Sequence, residues 1–226
     1  MEWSRPAPAV SPAAPPFLRR ALGHLTDWED WLTLALVLAG TLSVTTTLEA
    51  GGWSKQMPPI TLVSVLAAFA ALFLARSALP LLLAWPLAFV TGVLVVSWQT
   101  LEMVGPGTPD QRLDAVYLRF KTWFDIAING GVSNDSLPFN VLVIGLTWLG
   151  VFLFGWSVYR WHNAWIGLLP GAATLFVDVA LVGDPLTAAA AAYIFFGFLL
   201  VMRTNLTARM ARWRADGASY PPMVSL

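Results

Sequence analysis

Residues Pro138–Tyr159 read PFNVLVIGLTWLGVFLFGWSVY, 22 residues with no Asp, Glu, Lys or Arg among them. That length matches the roughly 20 apolar residues an α-helix needs to cross a hydrocarbon core. A barrel strand would alternate polar and apolar positions, and this stretch does not, so a membrane helix is the reading it supports. Five further apolar stretches flank it: Trp31–Leu48, Ile60–Ala75, Leu81–Trp98, Ala164–Leu181 and Leu186–Met202. The second is short, but the Arg76 head can reach outward and lengthen it. The fold class expected is therefore all-α: a polytopic membrane bundle of six transmembrane helices plus one outer interfacial amphipathic helix.

Composition agrees. The 226 residues are 57% hydrophobic and 12% charged, with 13 Lys+Arg against 13 Asp+Glu and no cysteine. The charge content is about half the ~25% of soluble domains, and a soluble domain of this size could not bury so much apolar material. Disordered chains are polar and poor in aromatics, which excludes that class. Zero net charge argues against nucleic acid as a partner. Without cysteine, disulfides, Cys-ligated zinc, iron–sulfur clusters and thiol nucleophiles are excluded together.

Pro58-Pro59, Pro138 and Pro185 stand at or just before the first turn of three helices, where a missing N–H is harmless. Asp184 is an N-cap candidate for the last one. Trp28, Trp31, Trp53, Trp98, Trp161 and Trp165 fall near span ends, as an interfacial aromatic belt requires. Pro170-Gly171, inside the fifth span, predicts a kink. Orientation follows from Lys and Arg placement. Arg5, Arg19, Arg20, Arg76, Arg160, Arg203, Arg209, Arg212 and Arg214 fall on one side, against Lys55, Arg112, Arg119 and Lys121 on the other. The side with nine should be the cytoplasm, with both termini there and the chain in a bacterial cytoplasmic membrane. Residues 1–30 form a Pro/Ala-rich cytoplasmic tail, 31–202 the six-helix domain, and 203–226 a basic cytoplasmic tail.

The stretch 99–137 is too long for a simple connection. Within it Leu113, Val116, Tyr117, Phe120, Phe124, Ala127 and Ile128 recur at the spacing of one helical face. A helix over 111–128 would lie in the outer interface with Tyr117 and Trp123 at headgroup level, and Asn129-Gly130-Gly131 would end it. Such a helix either lies on lipid and caps the bundle or serves, with its following loop, as a docking surface. Ser133, Asn134, Asp135 and Ser136 read as capping of the next span.

Three other features could carry function. Asp178 is the single acid inside an expected span, and intramembrane acids are functional suspects. It also lies three residues from the outer end of its helix, where it could reach water or pair with Arg119 or Lys121. Ala67, Ala71 and Ala75 repeat every fourth position, which allows close helix approach inside the bundle or across a dimer face. Ser43, Thr45, Thr46 and Thr47 should bond back to helix carbonyls or across helices. His24 and His162 lack neighbouring ligands for a metal site, and no hydrolase, zincin or P-loop spacing occurs. No catalytic residue, metal or cofactor is expected.

From Trp123 the run WFDIAINGGVSNDSLPFN, with the Gly-Gly-x-Ser-Asn-Asp stretch of Gly130, Gly131, Ser133, Asn134 and Asp135, resembles the N-terminal membrane region of bacterial transglutaminase-like membrane proteins of the TgpA type. The span-ending Arg160, the Leu-Leu-Pro-Gly of residues 168–171, and TDWEDWLTLALVLAGTLSV at 26–44 extend the resemblance over most of 26–215. It implies a membrane region that precedes a further helix, an extracytoplasmic domain with a Cys-His-Asp triad, and an anchor. This sequence stops at Leu226 and has no cysteine, so no catalytic residue carries over and an enzyme is not expected. The resemblance implies a scaffold that positions an extracytoplasmic domain or partner. Two other functions stay open: an accessory subunit of a larger membrane complex, and a small transporter or lipid-handling enzyme using Asp178. The partners expected are the lipid bilayer and proteins in the membrane or on its outer face.

Overall fold

A computed structural model describes residues 28–54, 57–77, 79–182 and 187–215. All regular structure among them is helical: α1 (Trp28–Ala50), α2 (Ile60–Arg76), α3 (Leu81–Met103), α4 (Pro109–Ile128), α5 (Leu137–Trp161), α6 (Trp165–Val182) and α7 (Thr187–Ala215). Four helices are long and apolar enough to cross a membrane, over Asp30–Ala50, Leu81–Met103, Leu137–Trp161 and Thr187–Met210. The apolar α2 and α6 are shorter. Asp184, Pro185, Lys55 and His24 lie outside the described residues.

The bundle is built on α2 and α5. Between apolar helices in hydrocarbon, association rests on close van der Waals contact rather than on expulsion of water, so small residues mark the seam. Ala67, Ala71 and Ala75, with Ala68, are all buried on α2. Opposite them, a methyl group at Gly155 of α5 would lie 2.6 Å from the Ala71 Cβ. The rest of that α5 face is aromatic. Trp85 of α3 packs against Phe152 and Trp156 with ring centroids 6.1 Å and 5.6 Å apart, and Gly92 of α3 lies directly against the Trp148 ring. Phe154 faces the other way and packs on Gly167 of α6. On the far side α1 bridges α2 to α7.

Helix ends follow local chemistry. The N-cap Pro59 of α2 has no side chain to offer. Glu49, at the end of α1, accepts instead from the Thr61 N–H (2.8 Å) and the Thr61 hydroxyl (2.9 Å), so one helix caps the next and places a carboxylate at a positive helix end. At the end of α5 His162 takes the left-handed conformation (φ 52°) that glycine usually supplies there. Asn163 then caps α6, its Oδ1 accepting from the Trp165 N–H at 3.0 Å. Helix α6 runs through Pro170 without a break.

Helices α2 and α5 run parallel, with Arg76 and Arg160 at the same end, and polar side chains gather at the two ends. At one end Arg76 of α2 pairs with the buried Asp30 of α1. Tyr159 of α5 donates to the Asp30 carbonyl (3.3 Å) beneath the Arg76 guanidinium. Arg160 donates to the Ala75 carbonyl (3.2 Å), and Arg203 of α7 donates to Thr33 (2.8 Å). Asp30 therefore belongs to the bundle although the sequence places it in a tail, and α7 continues past Met202 to Ala215.

Replacing Gly155 by Leu forces apart the α2–α5 seam, an overpacking that costs roughly 1–3 kcal/mol. Thermal unfolding of the detergent-solubilised protein should show a clearly lowered Tm. Gly145→Leu, where an added methyl meets nothing within 4 Å, should leave Tm nearly unchanged.

Candidate functional site at the α4 end of the bundle

The opposite end of the bundle carries the residues that the sequence singles out. Helix α4 starts in a capping box: the Thr108 hydroxyl accepts from the Gln111 N–H (3.4 Å) and the Gln111 side-chain oxygen accepts from the Thr108 N–H (3.1 Å). It ends in a Schellman turn, with Gly130 at φ 73° and the Gly131 N–H donating to the Ile126 carbonyl at 2.9 Å. The expected start at 111 thus moves back to Pro109, because Thr108-Pro109 supplies the cap and a preset first turn.

None of the α4 residues is buried. Val116 and Phe120 are half-buried, whereas Leu113, Tyr117, Trp123, Phe124 and Ile128 are exposed. Gly130, Gly131 and Asn134 are exposed in the following loop, and Ser133 accepts from the Asp135 N–H at 3.2 Å.

Two ion pairs hold this helix on the bundle. Arg112 reaches Glu102 at the end of α3 (3.4 Å). Arg119 makes a two-pronged pair with Asp135: its Nε donates at 2.7 Å and its Nη2 donates to the second carboxylate oxygen. The same carboxylate accepts from the Leu137 N–H at 2.9 Å, so the acid that clamps α4 also caps α5. Capping of α5 comes from Asp135, while the Ser136 side chain makes no cap bond. Hydrogen bonds from Arg119 hold the Asp135 carboxyl below the usual carboxylate range, and the same bonds hold Arg119 above its ordinary value.

Asp178 does not pair with Arg119 or Lys121, nor does it open to water. Arg119 is taken by Asp135, only 16 residues away in sequence. Asp178 is instead 1% exposed, its two oxygens accepting from the Thr47 hydroxyl (2.9 Å) and the Trp53 indole N–H (3.2 Å). Thr47 also donates to the Val44 carbonyl (2.7 Å), while Ser43 and Thr46 bond back to Ala39 and Leu42. The sequence marks Thr47 and Trp53 as polar or terminal residues, but only the fold joins them to Asp178. No group of three or more His, Asp or Glu side chains among the described residues is placed to hold a metal ion. Comparison with protein-family models, with curated proteins and with solved structures finds no match.

The Arg119–Asp135 clamp has a signed pH dependence. Because the folded Asp135 carboxyl is held low, its contribution is full above the unfolded value of about 3.9. It disappears as pH falls through the folded value. The partly exposed pair should contribute about 1 kcal/mol. Wild type should therefore exceed Arg119→Gln in unfolding stability by about that amount at pH 6, and the difference should shrink as pH falls through the folded Asp135 value. A difference that persists unchanged in acid contradicts the clamp.

Proposed function

We propose that this chain is a non-catalytic integral membrane scaffold that crosses the bilayer six times. In this reading it resembles the N-terminal membrane region of transglutaminase-like proteins, and it positions an extracytoplasmic domain or protein partner. The short α2 and α6 complete the six crossings: Arg76 extends the first, and the second turns an apolar face with Leu169, Phe176 and Leu181 outward, as a lipid-facing helix would. The basic end, with Arg76, Arg160 and Arg203, faces the cytoplasm under the positive-inside rule.

The observation that carries the proposal is the mounting of α4. A helix with no buried residue gains little from the core, yet this one is capped at both ends and tied by ion pairs to α3 and to Asp135, just before α5. That arrangement fixes an apolar stripe of Leu113, Tyr117, Phe124 and Ile128 facing away from the bundle. A stripe needed only to float on lipid would not require such fixing. A held aromatic patch beside the Gly130–Asp135 loop suits a partner, since aromatic anchors dominate binding at protein interfaces. The absence of cysteine, set beside the resemblance, supports a non-catalytic role for these residues.

A photo-crosslinking residue at position 117, in cells of the natural host, should capture one stoichiometric envelope protein carrying an extracytoplasmic domain. The double variant Tyr117→Asp with Phe124→Asp should lower that partner's recovery at least about tenfold, as expected for loss of two aromatic anchors, at unchanged Tm. Crosslinks to lipid alone, or equal recovery with the double variant, would refute the docking role.

A further inference from the structure

Helices α5 and α6 meet where Phe154 packs on Gly167, and beside that contact a slot of about 310 Å³ lies between them. Helix α1 completes its walls with Thr41, Thr45 and Leu48, and α7 with Tyr193. Along α5 the lining runs from Val143 to Phe154, about 16 Å by helical rise. Leu146 and Gly150 of α5 and Pro170 of α6 line the slot and are also exposed, so it opens sideways between the two helices. Because α5 is long and apolar enough to cross a membrane, lipid tails are the medium at that opening.

The lining asks for hydrocarbon. Four of its five hydroxyl side chains already have acceptors: Thr41 donates to the Val37 carbonyl (3.0 Å), Thr45 to Leu42 (3.5 Å), Thr174 to Pro170 (3.1 Å) and Tyr193 to Leu168. Thr147 is the fifth, and no charged side chain is among the lining residues. A headgroup would lose its hydration there for want of partners. Dimensions then decide between a chain and a helix. A volume of about 310 Å³ over that length leaves a cross-section of roughly 20 Å². Carbon atoms in van der Waals contact lie about 4 Å apart, so one extended chain takes roughly 16–20 Å². An α-helix about 10 Å across takes roughly 80 Å². Gly150 keeps the opening clear: a Cβ there would meet nothing within 4 Å.

We infer that the slot between α5 and α6 binds one acyl chain of a membrane phospholipid, recognised by its hydrocarbon and not by its headgroup. An empty slot would forfeit van der Waals contact along every wall. A chain restores that contact and fastens α6, one of the two shorter apolar helices, to α5. The assignment depends neither on what α4 docks nor on how many times the chain crosses the bilayer.

The full chain, reconstituted in vesicles of dipalmitoyl phosphatidylcholine and extracted in mild detergent, can be weighed by native mass spectrometry. Wild type should retain one phospholipid, and equally so from vesicles of phosphatidylglycerol. Dihexanoyl phosphatidylcholine, whose chains reach less than about 9 Å even with every bond in line, should compete for the slot at least about tenfold less well than the dipalmitoyl lipid. Gly150→Leu, which puts a side chain into the open slot, should lower retention at least about tenfold at unchanged Tm. Gly145→Leu, which is not among the lining residues, should retain lipid as wild type does. Should Gly150→Leu fail to fold, wild type labelled by phosphatidylcholine with a diazirine at its chain terminus decides instead. Labelling of segments 143–154 and 167–174 should then exceed that of the exposed Leu82 and Phe89 on α3. Wild type without bound lipid, retention that follows the headgroup, equal competition by the short-chain lipid, undiminished retention in a folded Gly150→Leu, or even labelling of α3 and the slot overturns the proposal. So does a free fatty acid or a polyisoprenoid in place of a phospholipid on protein extracted directly from cells.

Discussion

The contact on which the other packing depends is the approach of α2 to α5 at Ala71 and Gly155. In hydrocarbon, apolar side chains gain nothing by leaving solvent, so only closely fitted surfaces distinguish one helix pairing from another. Four alanines supply a smooth strip on α2, and Gly155 lets the backbone of α5 settle against it. With these two helices fixed, the large aromatics of α5 are turned to the sides. Trp148, Phe152 and Trp156 receive α3, and Phe154 receives α6 at Gly167. Helix α1 then closes against α2 and carries α7.

Polar groups obey a second constraint, since any that enter the apolar region must be satisfied within the bundle. The charged groups are therefore sorted to the ends, while Thr41 and Thr204 bond back within their own helices. At one end three arginines share Asp30, Thr33 and a helix carbonyl. At the other, carboxylates cap helices and join segments: Glu49 serves α2, Asp135 serves α5 and holds Arg119, and Asp178 joins Thr47 to Trp53. This chemical difference gives the molecule two unlike faces, and α4 is fastened to the acidic one.

How much of this could be read from the sequence depends on the range of the interaction involved. Each apolar stretch is a helix because hydropathy and length are local properties. The α4 stripe and its Asn129-Gly130-Gly131 stop are equally local, and the stop emerges as a full Schellman turn. What could not be read is pairing between helices distant in the chain. Glu49 capping Thr61, Asp30 meeting Arg76, and Asp178 meeting Thr47 across 131 residues all require knowing which helices are neighbours. The alternatives left open for Asp178, water or a pair with Arg119 or Lys121, fail for the same reason. Asp135, at the far side of a short turn from α4, offers Arg119 both carboxylate oxygens, and Asp178 is closed off beneath Trp53.

The absence of cysteine makes the central claim directly measurable. Tyr117→Cys and Asn163→Cys place single thiols on α4 and on the short turn between α5 and α6, at opposite ends of the bundle. A membrane-impermeant maleimide applied to intact cells should label position 117 at once and position 163 only after the membrane is opened. Labelling of position 163 from outside, or protection of position 117, would mean that α4 does not stand on the outer face and would contradict the account.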